Sequence, residues 1–217
     1  MLAAAMFLVP FGRLADLVGR KKIFALGIGV NIAGTAAAAL APSLFFLILG
    51  RAVQGIGGAM IFGTGVAILT SVYPPGERGR ALGLNTAAVY TGLSLGPVLG
   101  GFLVHAWGWR SILWATMPIA AAALTLTLAR LKGEWAEARG EGFDFKGSMI
   151  FGLGLVSLMY GFSRLPSVLG LALTAAGLAA LAVFIRFELR AADPLLDLRL
   201  FQTNRIFAFS NLAALFN

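Results

Sequence analysis

The 217-residue chain has no cysteine, a single histidine, and charge on only 12% of its residues. Without cysteine there is neither a disulfide nor a thiolate metal site, and redox chemistry leaves the compartment open. The remaining residues assemble no hydrolase triad, metal-ligand cluster or phosphate-binding loop, so no catalytic residue, metal or cofactor is expected and the chain does not read as an enzyme. Ordinary soluble domains carry about 25% charged residues, and half that fraction excludes one. Acidic residues are scarcer still, at nine. Asp16, Glu77, Glu134, Glu137, Glu141, Asp144, Glu188, Asp193 and Asp197 all fall in or beside polar connectors, which leaves no carboxylate deep in a full apolar span. The apolar run 1–11 does not read as a secretory signal peptide, because the first positive charge follows it instead of preceding it and no small-residue cleavage site comes after.

What the chain has in abundance is apolar length. Hydrophobic residues make up 59% of it and the mean hydropathy is +0.88. Spanning helices need roughly 20 apolar residues each, and the sequence supplies them in succession, which predicts an all-α integral membrane protein in contact with the lipid bilayer. Helices are expected at 1–11 (incomplete), 23–41, 44–72, 81–104, 111–129, 147–163, 167–186 and 206–217 (incomplete), giving six full spans and two partial ones. The joints are short and rich in turn formers or charge, as at Ala41-Pro42-Ser43, Tyr73 to Arg80, His105 to Arg110 and Arg164-Leu165-Pro166. The longest polar stretch, Arg130 to Lys146, mixes both signs of charge with Gly133, Gly140 and Gly142 and reads as a solvated connector.

Net charge is +8, and its placement decides what it means. If the loop after Gly12 is cytoplasmic, alternation puts all but three of the 17 Lys and Arg residues on the inner side. Arg110 and Arg164 fall outside and Arg51 lies within a span. One missed span would scramble this sorting, so the positive-inside bias supports the helix count. The basic balance is topological, and no nucleic-acid partner is expected, since such a surface would gather charge on one accessible domain. Trp107, Trp109 and Trp114 collect at the expected outer ends and Tyr73 at an inner one, as interfacial anchors do.

Three clusters carry more than topology. Gly12-Arg13-Leu14-Ala15-Asp16-Leu17-Val18-Gly19-Arg20-Lys21-Lys22 lies between two apolar stretches and reads as a tight inner turn. Gly12 and Gly19 would allow close approach and unusual φ, and Asp16 can cap or pair at a helix terminus. In the 44–72 span, Arg51 puts a permanent cation among apolar residues at a cost of at least about 2.5 kcal/mol, so it should face a polar cavity or a partner. Gln54 follows one turn later on a nearby face and Gly55 removes bulk beside it. In the 81–104 span, Gly92-x-x-x-Gly96-Pro97-x-x-Gly100-Gly101 permits close helix contact while Pro97 removes a backbone donor. Asn85, Thr86, Tyr90 and Thr91 on the same helix could line a cavity.

The first cluster resembles the signature turn between the second and third helices of the major facilitator superfamily, a group of secondary transporters. Gly12, Leu14, Asp16, Gly19, Arg20 and Lys21 match it. The resemblance implies an inner gate element built on Gly12, Asp16, Gly19, Arg20 and Lys21. The Arg51, Gln54 and Gly55 cluster is similar to the family's fourth-helix motif and implies a role in proton coupling or in the substrate cavity. Gly92, Gly96, Pro97, Gly100 and Gly101 resemble the motif of the antiporter branch, which implies a place at the interface between transporter halves. Trp107 to Trp114, Met117-Pro118-Ile119, Phe143 to Gly147 and Pro194 to Phe201 resemble segments of the fourteen-helix drug:proton antiporters of EmrB/QacA type, with Thr116-Met117-Pro118 standing where Asn-Val-Pro is usual.

The resemblance covers essentially the whole chain and implies a parent roughly twice as long, built of two halves. On that reading residues 1–130 are the N-terminal half without its first helix, 131–190 a connector with two inserted helices, and 191–217 a connector opening the C-terminal half. The expected partners are protons, a small-molecule substrate and the missing C-terminal half, and the expected location is a prokaryotic cytoplasmic membrane. Three functions stay open at this point: a proton-driven multidrug exporter in its full-length form, a major facilitator transporter of another solute, and a membrane subunit or gene remnant that does not transport by itself.

Overall fold

The computed structural model describes residues 2–215, with Gln202, Ala214 and Leu215 described by backbone alone. The outermost residues of the expected first and last helices, 1 and 216–217, lie outside the described residues. Those described form α-helices and connecting turns: α1 (Leu2–Val18), α2 (Arg20–Ala39), α3 (Leu44–Val72), α4 (Arg78–Trp107), α5 (Arg110–Arg130), α6 (Phe145–Ser163), α7 (Val168–Glu188), α8 (Leu200–Thr203) and α9 (Arg205–Leu215). Six of them, α2 to α7, are long and apolar enough to cross a membrane. The chain is an all-α membrane protein.

One expectation needs correction. The run from Gly12 to Lys22, expected as a tight turn, is helical on both sides of a single residue. Helix α1 continues through Gly12 to Val18, and α2 starts at Arg20, so Gly19 alone makes the break. Nothing between Arg13 and Val18 interrupts a helix, whereas Gly19 adopts φ +130°, a conformation that L side chains rarely take. Gly19 N still donates to Ala15 O at 2.8 Å and Ile23 N to Gly19 O at 3.1 Å, so hydrogen bonding runs up to the break from both sides. Gly12 is helical, and a Cβ there would meet only Gly63 O at 3.7 Å.

The chain divides into two compact units, residues 3–139 and residues from 140 onward. In the first, α2 and α3 pack backbone to backbone. A Cβ on Gly34 would collide with Gln54 N, and one on Gly50 would lie 2.6 Å from Ala38 N. Gly27 and Gly57, each seven residues from its counterpart, meet Met60 and Asn31 as closely. Small residues at this spacing form a stripe that lets two helices approach without side chains between them. Next to the stripe, buried Ala15, Ile23 and Met60 join α1, α2 and α3, while Ala38, Ala39 and Leu113 join α2 to α5. Helix α4 has no buried residue.

At the other end of α2, Arg110 fixes the start of α5. Its Nε and Nη2 donate to Ala39 O (3.1 Å) and Ala41 O (2.9 Å), carbonyls at the end of α2 that lack helical partners. The guanidinium also stacks 4.4 Å from the centroid of Trp109.

In the second unit α6 and α7 form a hairpin. Asp144 caps α6 by accepting from Gly147 N at 2.8 Å, and Ser167 caps α7 by accepting from Gly170 N at 3.1 Å. Gly161 and Gly177 bring the two backbones together against Thr174 and Leu158, and Phe151 packs on Phe184 with centroids 5.2 Å apart.

Candidate functional site

The residues expected at the inner gate meet around Arg20, which is 7% exposed. Its Nε donates to Asp16 Oδ1 at 2.7 Å, one turn back across the Gly19 break. Its Nη1 donates to Ser71 Oγ at 2.7 Å, near the end of α3. Nη1 and Nη2 also donate to Glu137 Oε1 and Oε2 at 2.7 and 2.9 Å, the bidentate geometry that a guanidinium and a carboxylate favour.

Glu137 belongs to the segment that reads as a solvated connector. The structure seats that segment on the α1–α2 break. Arg20 N donates to Trp135 O at 2.8 Å, Ala138 N donates to Asp16 O at 3.0 Å, and Lys21 N donates to Glu134 Oε1 at 2.9 Å. Helix α2 has no side-chain cap of its own, so the Glu134 carboxylate supplies the acceptor and the negative charge that its first turn lacks. A Cβ on Gly19 would lie 2.5 Å from that carboxylate. Gly19 is therefore required both by its φ and by the space the connector occupies.

Of the five expected gate residues, Asp16, Gly19, Arg20 and Lys21 come together in this clasp and Gly12 stands apart on α1. The clasp's other half, Glu134, Trp135, Glu137 and Ala138, and the Ser71 contact were missed by sequence reasoning. The available signal was electrostatic: two carboxylates three residues apart in a glycine-flanked segment, against Gly-Arg-Lys-Lys.

The second cluster lies well away along α2. Arg20 and Thr35 are fifteen residues apart, about 22 Å at helical rise. Arg51 Nη1 donates to Gln54 Oε1 at 2.6 Å, and Gln54 Nε2 donates to Thr35 Oγ1 at 2.8 Å. Thr35, 2% exposed, donates in turn to Asn31 O at 2.7 Å, and Asn31 Nδ2 returns to Gln54 O at 3.3 Å. The chain of bonds fixes the Gln54 amide, with its oxygen toward the cation and its nitrogen toward α2. Gly55, beside them, sits against Ala3 of α1. Asn31 and Thr35 are the part missed in the sequence, where an i,i+4 polar pair in the 23–41 span was the signal.

The third cluster is not enclosed. Around Gly92, Gly96 and Gly101 no neighbour lies within 4 Å of where a Cβ would stand, and at Gly100 only Ile112 Cδ1 comes near, at 3.7 Å. Pro97 lies inside α4. Higher on the same helix, Asn85 is the one polar side chain among the residues lining an apolar cavity of about 340 Å³ with Phe24, Ile61, Phe62, Leu69 and Val89.

Apolar helices joined by glycine stripes, with one polar cluster at a helix-terminal clasp and another between the candidate spans α2 and α3, define a polytopic membrane protein. The chain belongs to the Major Facilitator Superfamily, a family of transporters and not of enzymes, whose family description matches residues 1–214. It is 33% identical to the Multidrug resistance protein Stp of Mycobacterium tuberculosis over 99% of this chain and 41% of that protein. The Tetracenomycin C resistance and export protein of Streptomyces glaucescens is 29% identical over 94% of this chain and 39% of its own length. The Riboflavin transporter RibZ of Clostridioides difficile is 28% identical over 98% and 46%. The chain thus spans less than half the length of these relatives.

Proposed function

We propose that this chain is the N-terminal and central part of a proton-coupled exporter of drugs or small amphipathic compounds, of the fourteen-helix EmrB/QacA type, in a prokaryotic cytoplasmic membrane. In this reading residues 1–130 are most of the first half, 131–190 the connector and two inserted helices, and 191–217 the entry to a C-terminal half needed for transport. The relatives named for multidrug resistance and for tetracenomycin C export support the cargo class. The observation that carries the reading is Arg51, a cation inside a candidate span, exposed on α3 and held by Gln54. A guanidinium at that depth must face a polar cavity or a partner, and one oriented by a fixed amide is suited to hold a substrate or bias a nearby protonatable group. Asp16, Gly19, Arg20 and Lys21, with Glu134 and Glu137, form the inner gate. Gly92, Gly96, Pro97, Gly100 and Gly101 present the α4 face to the opposite half.

The test uses the longer protein that carries this sequence, in inverted membrane vesicles. Addition of cationic amphipathic compounds is expected to release protons from energised vesicles, and Arg51→Gln to abolish that release while the protein still inserts. Absence of compound-dependent proton movement in the unaltered protein would contradict the reading. The resemblance to a riboflavin transporter over nearly the whole chain favours a second reading, transport of another solute, which a panel of solute classes in the same vesicles separates.

A further inference from the structure

A groove of about 410 Å³ runs along the end of α7, lined by Val183, Arg186, Phe187, Arg190 and Ala191. The helix presents two neighbouring faces here. One, through Gly177, Phe184 and Glu188, is buried. The other, through Val183 and Arg186, is exposed, Val183 by 56%, and so is Arg190 in the turn just past the helix end. Arg186 and Arg190 line the same groove, where their guanidiniums can converge on one anion. Among the described residues, neither Arg186 nor Arg190 takes part in an ion pair. The nearest acids turn elsewhere. Glu188 is 2% exposed and its Oε2 accepts from Leu196 N at 3.3 Å, while Asp193 Oδ2 accepts from Gly142 N at 3.1 Å.

Depth completes the picture. Val168–Glu188 is a candidate span of 21 residues, about 31 Å of helix, which matches a hydrocarbon core of about 30 Å. Arg186 and Arg190 then reach headgroup level, and Val183, one turn inward, reaches acyl level. The charge sorting places this end at the inner leaflet.

We propose that this groove is a binding site for an anionic phospholipid, its phosphate held between the Arg186 and Arg190 guanidiniums and the upper part of one acyl chain laid on Val183 and Phe187. The charge complementarity and the apolar floor together select a lipid over a soluble anion. The proposal goes beyond the transport reading and does not depend on it.

The full chain in detergent, titrated with phosphatidylglycerol or phosphatidylcholine and read by native mass spectrometry, tests the site. Each basic group near an anionic headgroup favours binding by about fivefold, so the preference for phosphatidylglycerol should fall by about thirtyfold in Arg186→Gln/Arg190→Gln. Arg186→Lys/Arg190→Lys should keep most of it, because lysine still binds phosphate as a point charge. Arg78→Gln/Arg80→Gln, which removes equal charge at another connector, should leave it unchanged. An unaltered preference in the first variant, or an equal loss in the last, would overturn the proposal. Inorganic phosphate should fail to displace the lipid, and displacement at matched concentration would make this a soluble-anion site instead. Photoactivatable phosphatidylglycerol on the unaltered chain, which avoids any folding defect, should label the peptide containing residues 183–191. Labelling spread evenly over the helices would overturn the site.

Discussion

Two glycine-rich regions of this protein use the same residue in opposite ways. Where α2 faces α3 the glycines are closed: a single methyl on Gly34 or Gly50 would strike the backbone of the other helix. On α4 the glycines are open, with empty space at Gly92, Gly96 and Gly101. The sequence is no guide to this difference, since the α4 stripe, and not the α2–α3 one, is the run that reads there as a packing motif. A glycine stripe is a permission for close approach, and only a partner helix turns it into a contact. The α2–α3 stripe has its partner within the first unit and uses it to bring Gln54 to Thr35. The α4 stripe is the face we assign to a second half.

The largest effect should come from breaking the closed stripe. Gly34→Leu inserts a side chain where backbone already lies, and overpacking of this kind costs about 3 kcal/mol or more, so the detergent-solubilised chain should lose its cooperative thermal transition or be recovered in poor yield. Next comes Arg20→Gln, which removes bonds to Asp16, Ser71 and Glu137 from a mostly buried position and should destabilise by about 1–2 kcal/mol. Glu137→Gln should cost less, about 0.5 kcal/mol, because the Glu137 side chain is 68% exposed and water screens its pair. Thr35→Val keeps shape but strips the acceptor from Gln54, an expected loss of about 1 kcal/mol; in the longer protein it should slow transport, with Thr35→Ser restoring it. Smallest of all is Gly96→Leu, expected to shift stability of this chain by less than about 0.5 kcal/mol. A large loss there would mean that the α4 face is already packed, and would erase the contrast.

The helices were legible because apolar length announces a span, and each of the six full spans expected from the sequence has its counterpart among α2 to α7. The Gly12–Lys22 run was legible as a special segment but not in its form, since a one-residue break at Gly19 looks in sequence like the end of a longer turn. Arg51 and Gln54 were visible as a pair because charge inside an apolar run stands out. Thr35 and Asn31 were not singled out, because their i,i+4 spacing marks a shared polar face but not the Gln54 that meets it until the facing helix is known. The connector was least legible. Its alternating charges satisfy the pattern of a solvated segment equally well, and what seats it, the free amide of Lys21, the carbonyl of Asp16 and the buried cation of Arg20, lies more than a hundred residues earlier.

The seating of that connector on the Arg20 clasp is the central structural claim, and the natural absence of cysteine makes it directly measurable. Ala138, 6% exposed, is replaced by cysteine in one variant and exposed Lys132 in another, and maleimide labelling rates are compared in the full chain. An opening free energy of about 1.4 kcal/mol corresponds to tenfold protection. Cys at 138 should therefore label about tenfold or more slowly than Cys at 132, and Arg20→Gln should remove the difference. Equal rates in the unaltered background would contradict the clasp.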